Sequence, residues 1–351
     1  MPWRNRLLMP KRPQVPSTIE DIARQLGLSA MTVSRALRGR PNVSEVTRRK
    51  VLQTAQELSY KPNRWARSLV TRTSHIIGIV VPDISHTYFA EIARGVEETI
   101  DSEGYDLLLC HSRRDPERER RELDMLMGSR VDGLIVASEQ QEDDPKTFVE
   151  LQERGVPFVL IDRFFRGLDC PFVGVDDRAI GKLATEHLIE LGHTCIAHIS
   201  GPAVSTGLLR YDGYLKAMKA RGIAVNPNWT VKCGFDTNGG REAMTRMLAR
   251  KPRPTAVFAA NDPSAIGVIE ACRDAGLRIP ADISIVGAGN IEGTIHPNPF
   301  LTTVDWPRLE LGREAAKMLL RLISPGKKRQ INRNIFAPRL LARQSTGAPK
   351  R

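Results

Sequence analysis

The first part of the chain carries its apolar residues at the spacing of amphipathic helices. In TIEDIARQLGLSAMTVSRALR, residues 18–38, one stripe follows the i, i+3, i+4, i+7 rule: Ile19, Ile22, Ala23 and Leu26. Thr18 is a typical N-cap, Gly27 ends this helix, and Ser29 caps the next one. The second helix is predicted to bury Val33, Ala36 and Leu37. A third helix begins after Ser44 and is predicted to bury Val51, Leu52, Ala55 and Leu58.

The polar face of the second helix is the first candidate for function. The outward-facing side chains are short at its N-terminal end and basic further along; these residues are Ala30, Met31, Ser34, Arg35 and Arg38. Two short helices joined by a tight turn, with such a face on the second, fit a helix-turn-helix whose recognition helix enters a DNA groove. The alternative is the polar face of an ordinary three-helix bundle.

Positive charge is concentrated in the same part of the chain. Residues 1–72 hold 15 Lys or Arg and four Asp or Glu, whereas the other 279 residues hold 37 and 36, within a net charge of +12. Concentrated positive charge on a small module is typical of phosphate binding. Charge therefore favours the DNA-binding interpretation, with double-stranded DNA as the partner.

From Ser74 onward the apolar residues form short continuous blocks. These blocks are IIGIVVP, DLLLC, GLIVA, PFVLI, FVGV, CIAHIS, AVFAA and ISIVGA, and helical stretches lie near residues 88–103, 116–128, 177–191, 211–221, 239–250 and 263–275. Five glycines are each predicted to follow a helix at the C′ position and to precede a strand or its approach: Gly104, Gly155, Gly192, Gly222 and Gly276. The alternation predicts an α/β fold of two doubly wound lobes with about five or six parallel strands each. Ligands of such folds bind beyond the carboxyl ends of the strands, here between the lobes.

The predicted organisation has five parts. Residues 1–16 form a disordered tail, 17–61 the helix-turn-helix domain, 62–73 a hinge helix or linker, 74–345 the core, and 346–351 a tail. One lobe of the core is predicted to take residues 74–176 and 305–330, and the other to take residues 177–304 and 331–345.

Other classes of protein have little support in the sequence. The five cysteines are widely spaced without a CxxC pair, which favours reduced thiols and a cytoplasmic protein. No apolar run has the length of a membrane span, and no signal-peptide core lies near the N-terminus. GAGNIEG, residues 287–293, only loosely matches a dinucleotide fingerprint, and the next residues resemble a loop more than a helix. The sequence predicts no catalytic centre, no metal and no cofactor.

Many motifs, in order, resemble the lactose-repressor (LacI/GalR) family of bacterial transcription regulators. They are TIEDIARQLGLSAMTVSRAL, VSEVTRRKVLQTAQELSYKPNRWARSL, IIGIVVPDISHTYFAEIARGVEE, VDGLIVAS, VGVDDRAIGKLATEHLIELGHTCIAHISGP, NDPSAIG and LRIPADISIVG. The resemblance covers roughly residues 17–345. It implies a helix-turn-helix headpiece, a hinge helix, and an effector-binding core similar to periplasmic sugar-binding proteins. It also implies a homodimer in which the effector controls the hinges.

The resemblance places the DNA contacts on the headpiece and the hinge. Ala30 and Met31 stand at the positions that choose operator bases, with Arg35 on the same face. Leu69 stands where the family inserts a leucine wedge into the minor groove, with Ala66 packing beside it. The predicted DNA-binding set also includes Thr18, Ser29, Thr32, Ser34, Asn63 and Arg64.

The resemblance also places an effector pocket in the core. Arg210 matches the family arginine that grips the effector, and Phe89 matches a ring that lines the pocket. Four candidates follow predicted strands: Asp162, Asp176, Asn261 and Asp262. Asp262 is also a candidate helix cap, because Pro263 follows it.

One position departs from the family pattern. Gly289 stands where the family usually has a ligand-binding aspartate, and Asn290 is the candidate substitute. A purine or simple galactoside that depends on this carboxylate therefore does not fit, and a site with carboxylates, an amide and one arginine favours a sugar or sugar derivative.

The expected function is that of a homodimeric repressor of carbohydrate-use genes that binds a palindromic operator and is released by a small polar effector. Two alternatives stay open from the sequence. The core could bind a protein partner in place of a small effector, or the chain could be a sugar-binding protein without a regulatory role.

Overall fold

The computed structural model describes residues 17–37, 39, 41–60, 73–85, 87–291, 299–324 and 331–350. The chain divides into two compact units, one ending at Ser74 and one beginning at His75. The predicted tail 1–16 and nearly all of the predicted hinge 62–73 lie outside the described residues. So do four predicted DNA-binding residues: Asn63, Arg64, Ala66 and Leu69.

The described residues of the first unit form three helices, α1 (Ile19–Leu26), α2 (Ala30–Leu37) and α3 (Glu45–Glu57). The Thr18 side chain accepts a hydrogen bond from the Asp21 backbone N–H, and the Asp21 carboxylate accepts one from the Thr18 backbone N–H at 2.9 Å. This reciprocal capping box fixes the start of α1. Gly27 ends α1 in the left-handed conformation, with φ +64°.

Apolar side chains from all three helices form the core of this unit. Its buried members are Ile22, Ala23, Val33, Ala36, Val51 and Ala55. The predicted burial of Leu52 is wrong, because its side chain is 50% exposed. Val51, Ala55 and Leu58 recur at i, i+4 and i+7 on the inner face, and Leu52 is turned about 100° away from Val51 around the helix.

The second unit, over its described residues, forms two sheets of six strands each. The strands of the first sheet are β1 (Ile76–Val81), β2 (Asp106–His111), β3 (Gly133–Val136), β4 (Phe158–Ile161), β5 (Phe172–Val175) and β11 (Arg333–Phe336). They lie in the order β11-β5-β4-β3-β1-β2, and all neighbours are parallel. We call this sheet with its covering helices the first lobe.

The second lobe repeats this arrangement. Its strands are β6 (Ile196–Ser200), β7 (Thr230–Lys232), β8 (Ala256–Ala259), β9 (Ser284–Ala288), β10 (Thr302–Asp305) and β12 (Arg339–Leu341). The order is β12-β10-β9-β8-β6-β7, and only the edge strand β12 is antiparallel to its neighbour.

Helices cover these sheets, as the alternating pattern requires. They are α4 (Thr87–Asp101), α5 (Pro116–Gly128), α6 (Lys146–Glu153), α7 (Asp177–Glu190), α8 (Ser205–Ala220), α9 (Thr237–Leu248), α10 (Asp262–Asp274) and α11 (Arg308–Ile323), and a short 3₁₀ helix spans Pro227–Trp229. The five predicted C′ glycines all have positive φ, between 66° and 99°. No helix among the described residues is long and apolar enough to cross a membrane.

The lobe boundaries differ from the prediction at the C-terminal end. Residues 333–336 pair with β5 of the first sheet, so the assignment of 331–345 to the second lobe is wrong for this strand. The predicted tail 346–351 also differs, because its described residues are tied to the second lobe. The Thr346 hydroxyl lies 3.0 Å from His187 Nε2, and Lys350 Nζ lies 2.6 Å from the Asp282 carboxylate.

Candidate functional site

The outward face of α2 is the candidate DNA-binding surface of the first unit. The Met31 side chain is 63% exposed, Arg35 is also exposed, and Ser34 is half-buried. Ala30 is half-buried and packs against the three-helix core. An exposed methionine and arginine on one short helix can offer an apolar contact to a thymine methyl and hydrogen bonds to a guanine edge.

Three hydroxyl residues of the predicted DNA-binding set, Thr18, Ser29 and Thr32, have hydrogen-bond partners within the headpiece. The Thr32 backbone N–H donates to Ser29 Oγ at 3.1 Å, and the two hydroxyls lie 2.8 Å apart. Thr18 belongs to the capping box of α1. Thr18 and Ser29 therefore begin helices α1 and α2, which is a structural reason for a hydroxyl at each position.

A cavity lies between the two lobes of the second unit, at the carboxyl ends of the parallel strands. It encloses about 580 Å³ of space not filled by atoms, part of which is open solvent. Both lobes contribute to its lining: Pro82, Tyr88, Phe89, Arg114, Asp162, Arg163, Thr206, Arg210, Phe235, Asn261, Pro263, Ala288, Gly289, Ile291 and Trp306.

Arg210 enters the cavity from α8, and its guanidinium is held by hydrogen bonds to groups outside the cavity lining. Its Nε donates to Asp177 Oδ1 at 2.8 Å, and a terminal nitrogen donates to the Ala260 carbonyl at 2.7 Å. The side chains of Arg210 and Asp177 are only 5% and 2% exposed. Burial raises the pKa of the Asp177 carboxyl to about 7, and the Arg210 charge opposes that shift. The pair fixes the guanidinium, which lies 5.3 Å from the Trp306 ring.

Aromatic rings and one carboxylate form the opposite wall. The Tyr88 hydroxyl donates to Asp162 Oδ1 at 2.5 Å, and its ring meets those of Phe89 and Trp306 edge-on at 4.7 Å and 5.8 Å. Burial, with the nearby Asp162 charge, raises the pKa of the Tyr88 hydroxyl well above its usual value, so it stays protonated and donates. Asp162 itself adopts a left-handed backbone with φ +63°, which aspartate tolerates better than most residues.

A second buried guanidinium, that of Arg163, directly follows Asp162. One of its terminal nitrogens lies 2.8 Å from the Glu139 carboxylate and donates to the Ser138 carbonyl at 2.8 Å. Its Nε lies 3.5 Å from Asp162 Oδ2, and its guanidinium lies 5.7 Å from the Phe235 ring. Arg163 is therefore oriented by both carboxylates and by an aromatic ring.

Four of the seven predicted effector residues line the cavity: Phe89, Asp162, Arg210 and Asn261. The Asn261 side chain has fold partners as well, because its oxygen caps α10 by accepting from the Ser264 N–H at 2.9 Å. Its amide nitrogen donates to the Phe235 carbonyl at 3.1 Å.

The other three predicted effector residues do not line the cavity. Asp176 caps α7 by accepting from the Ala179 N–H at 2.9 Å. The fully buried Asp262 accepts from the Thr303 hydroxyl at 2.6 Å and from the Ile291 N–H at 2.9 Å, and Asn261, not Asp262, is the cap of α10. The Asn290 amide lies between Asp305 and Arg343. In each case a hydrogen bond that the fold requires takes the side chain away from the cavity.

Sequence reasoning missed several cavity residues: Tyr88, Arg114, Arg163, Thr206, Phe235 and Trp306. Arg163 carried a signal, since it directly follows Asp162 at the end of β4. Trp306 directly follows β10, where the chain crosses back to the first lobe. Phe235 and Thr206 lie at loop and helix starts that no local pattern marks. Among the described residues, no group of three or more His, Cys, Asp or Glu could hold a metal ion.

Comparison with known proteins assigns this architecture. Residues 74–344 match the family described as periplasmic binding proteins and sugar binding domain of LacI family, and residues 18–63 match the bacterial regulatory proteins of the lacI family. The chain belongs to the LacI family. The predicted family and the predicted fold, a helix-turn-helix headpiece with a two-lobed core, are confirmed.

Individual LacI-family proteins align along nearly the whole chain. The HTH-type transcriptional repressor PurR of Haemophilus influenzae (strain PittEE) is 36% identical over 334 residues, 94% of this chain and 98% of the relative. The repressor of the same name from Proteus mirabilis (strain HI4320) is 39% identical over 94% of this chain and 96% of the relative. The chain is therefore a DNA-binding transcriptional repressor and not an enzyme.

Solved structures give the same assignment. The lac repressor dimer bound to operator and the anti-inducer ONPF matches with a TM-score of 0.84 and 28% identity, over 95% of this chain and 100% of that one. A complex of the transcriptional regulator CelR with cellobiose matches with a TM-score of 0.71 and 30% identity, over 94% and 99% of the two chains.

Proposed function

We propose that this LacI-family repressor acts as a homodimer on a palindromic operator of carbohydrate-use genes, and that a sugar or sugar derivative bound between the lobes controls it. The observation that carries the proposal is the cavity, whose lining comes from both lobes and combines aromatic walls with fixed guanidinium groups. Aromatic faces that pack on C–H surfaces and charged groups that bond oxygen atoms together suit a small carbohydrate.

The cavity offers a physical route for control. A ligand that touches Tyr88 and Asp162 on one lobe and Arg210 and Phe235 on the other gains all of its contacts only when the lobes are close together. Such a ligand binds one arrangement of the lobes more tightly than another and shifts the population towards it. By linkage, the operator affinity then changes by the same factor as the effector affinity.

On the DNA side, the proposal uses the exposed face of α2 and the hinge. Met31 and Arg35 read base edges in the major groove of each half-site, and Thr32 and Ser34 contact phosphates or bases. Asn63, Arg64, Ala66 and Leu69 contact DNA from the hinge, with Leu69 as a minor-groove wedge. Two copies related by a two-fold axis require a palindromic site.

Operator release is the test of this function. A site is first selected from random duplexes with the full chain, and fluorescence anisotropy then follows its release by neutral sugars, sugar derivatives and purine bases. We expect release by at least one sugar or sugar derivative. If purine bases alone release the operator, or if no small molecule does, the effector class proposed here is wrong.

A pair of matched variants locates the site of action. Phe235→Leu removes an aromatic wall of the cavity, whereas Phe148→Leu makes the same change in the core of the first lobe, away from the cavity. We expect Phe235→Leu to raise the effector concentration for half-release about two- to tenfold, since an aromatic contact contributes roughly 0.5–1.5 kcal/mol. Phe148→Leu should leave that concentration unchanged, and equal shifts in both variants would contradict the assignment.

A further inference from the structure

The cavity between the lobes is rich in hydrogen-bond donors. Three guanidinium groups line it, those of Arg114, Arg163 and Arg210, together with the hydroxyls of Tyr88 and Thr206. The Tyr88 hydroxyl already donates to Asp162. The carboxylates that orient two of the arginines, Glu139 and Asp177, do not line the cavity.

Several of these donors retain bonding capacity. Within the described part of the chain, Thr206 Oγ1 is buried without a hydrogen-bond partner, and its residue is 1% exposed. Arg163 Nε is paired with Asp162 at 3.5 Å without forming a hydrogen bond, and the two shorter polar contacts of this guanidinium use one terminal nitrogen. A guanidinium has five N–H groups, and three of those of Arg210 are bonded to Asp177 and to the Ala260 carbonyl. Two N–H groups of Arg210 therefore remain for a ligand. Buried donors without partners cost free energy, so they favour a ligand that supplies acceptors.

Acceptors that face the cavity are scarce by comparison. Asp162 is the one carboxylate of the lining among the described residues, and it already serves the Tyr88 hydroxyl and Arg163. The Asn261 oxygen caps α10. Gly289, with φ +124°, brings no side chain to the lining.

We propose that the effector is a sugar acid, and that Arg163 is the specificity-determining residue that recognises its carboxylate together with Arg210. This inference deepens the function proposed above and rests on it. A neutral sugar brings one donor with every hydroxyl acceptor, and a purine base brings ring N–H donors. A carboxylate brings acceptors only, and it forms charge-assisted bonds with guanidinium groups. The anion is the ligand whose chemistry matches a cavity with spare donors and few acceptors.

The test compares ligand pairs that differ at one carbon. Isothermal titration calorimetry of the full chain measures D-glucuronate against D-glucose, D-galacturonate against D-galactose and D-gluconate against D-glucitol, with hypoxanthine as a different class. We expect at least one acid to bind at least about tenfold more tightly than its neutral partner. Equal or tighter binding of the neutral sugars overturns the inference and leaves the proposed function standing. Binding of hypoxanthine alone, or of none of these compounds, overturns both.

Paired substitutions assign the preference to Arg163. Arg163→Gln with Glu139→Gln replaces this buried ion pair by two neutral amides, so that Glu139 does not become a lone buried charge, and Asp162 keeps its hydrogen bond from the Tyr88 hydroxyl. Arg166→Gln with Glu142→Gln is the matched control, since this pair is 3.4 Å apart, Arg166 is 81% exposed, and neither residue lines the cavity.

The Arg163 pair should reduce the acid-to-neutral preference to less than about threefold, while binding of the neutral partner is kept, and the control pair should keep the preference. A preference that survives in the Arg163 pair overturns the role of this residue. Arg163→Lys retains the charge and should restore part of the preference, which a purely structural role would not produce.

Discussion

The two lobes share one strand order but use the carboxyl ends of their strands differently. In the first lobe, β4 is followed by Asp162 and Arg163, and both line the cavity. Its counterpart in the second lobe, β9, is followed by Gly289, which has no side chain, and by Asn290, which is bound to Asp305 and Arg343. Equivalent positions in a repeated topology therefore do not have equivalent roles.

In the second lobe, the charged group that lines the cavity comes from a helix and not from a strand end, and it is paired with a buried carboxylate. Arg210 comes from α8 and relies on Asp177 of α7. The central strand β6 contains His198 and Ser200, whereas its counterpart β1 is IIGIVV, without a polar side chain. The stability of the second lobe should consequently depend on the Arg210–Asp177 pair and on the neutral form of His198.

The largest effect should come from Arg210→Ala. Its removal leaves the Asp177 carboxyl buried without its cation, which costs about 3–5 kcal/mol in the free energy of unfolding. Because burial already raises the pKa of Asp177, protonation relieves the variant, so its loss should be smaller at pH 5 than at pH 8. Urea unfolding at both pH values measures this difference.

Arg178→Ala is the control for that substitution. Arg178 pairs with Asp212 across the same two helices but is 50% exposed, so its removal should cost less than about 1 kcal/mol. Similar losses in the two variants would show that the buried pair contributes no more to the free energy of unfolding than the exposed pair does. Because Arg210→Ala destabilises the lobe, a lost effector response in this variant does not by itself identify a ligand contact.

The next largest effect should be an acid sensitivity located at His198. Its Nδ1 lies 3.0 Å from the Phe258 carbonyl, its Nε2 is buried without a partner among the described residues, and aromatic rings stack around it. Burial, with a smaller contribution from the Arg210 charge, lowers the pKa of His198 to about 3. The folded chain therefore keeps this histidine neutral while the unfolded chain takes up a proton below about pH 6.5.

The contribution of the neutral His198 to the free energy of unfolding should then be fully present above about pH 6.5. It should fall as the pH decreases from 6.5 towards 3. Between pH 6.5 and pH 5 the loss from this one group is up to about 2 kcal/mol. His198→Gln removes the titrating group, so its free energy of unfolding should change less over this range than that of the unaltered chain. Parallel pH profiles in urea unfolding would contradict the assignment.

Local signals explain which parts of the fold could be predicted. Helices α1, α5, α7, α9 and α10 begin at a residue whose side chain caps them. The sequence missed α11 and gave no range to α6, which Gly155 alone indicated. Both helices begin without a capping side chain, and so does α8, which starts at Ser205 and not near residue 211. Without a capping residue, the sequence gives little indication of where a helix begins.

Hydrogen bonds within the fold explain why some predicted effector residues do not line the cavity. Position after a parallel strand correctly selected Asp162 and Asn261 as cavity residues, because it fixes where a side chain starts. It does not fix where the side chain points. Asp176 turns to cap α7, and Asp262 turns to bond Thr303, a residue 41 positions away that no local pattern could connect to it.

The smallest effect separates helix capping from ligand binding. Asp176→Ala should lower the free energy of unfolding by about 1 kcal/mol, the usual cost of a lost N-cap, and leave the effector affinity within about twofold. Asp236→Ala is the matched control, because Asp236 caps α9 of the same lobe by accepting from the Gly239 N–H at 2.8 Å. Chemical denaturation and calorimetric titration give the two quantities.

The two cap variants should behave alike, because neither residue lines the cavity. Asp162→Asn should behave differently. It removes the one carboxylate of the described lining and should change the effector affinity more than either cap variant does. A tenfold loss of effector affinity in Asp176→Ala, but not in Asp236→Ala, would support the sequence-based prediction that Asp176 contacts the effector. The strand ends of the two lobes would then be more alike in function than their hydrogen bonds indicate.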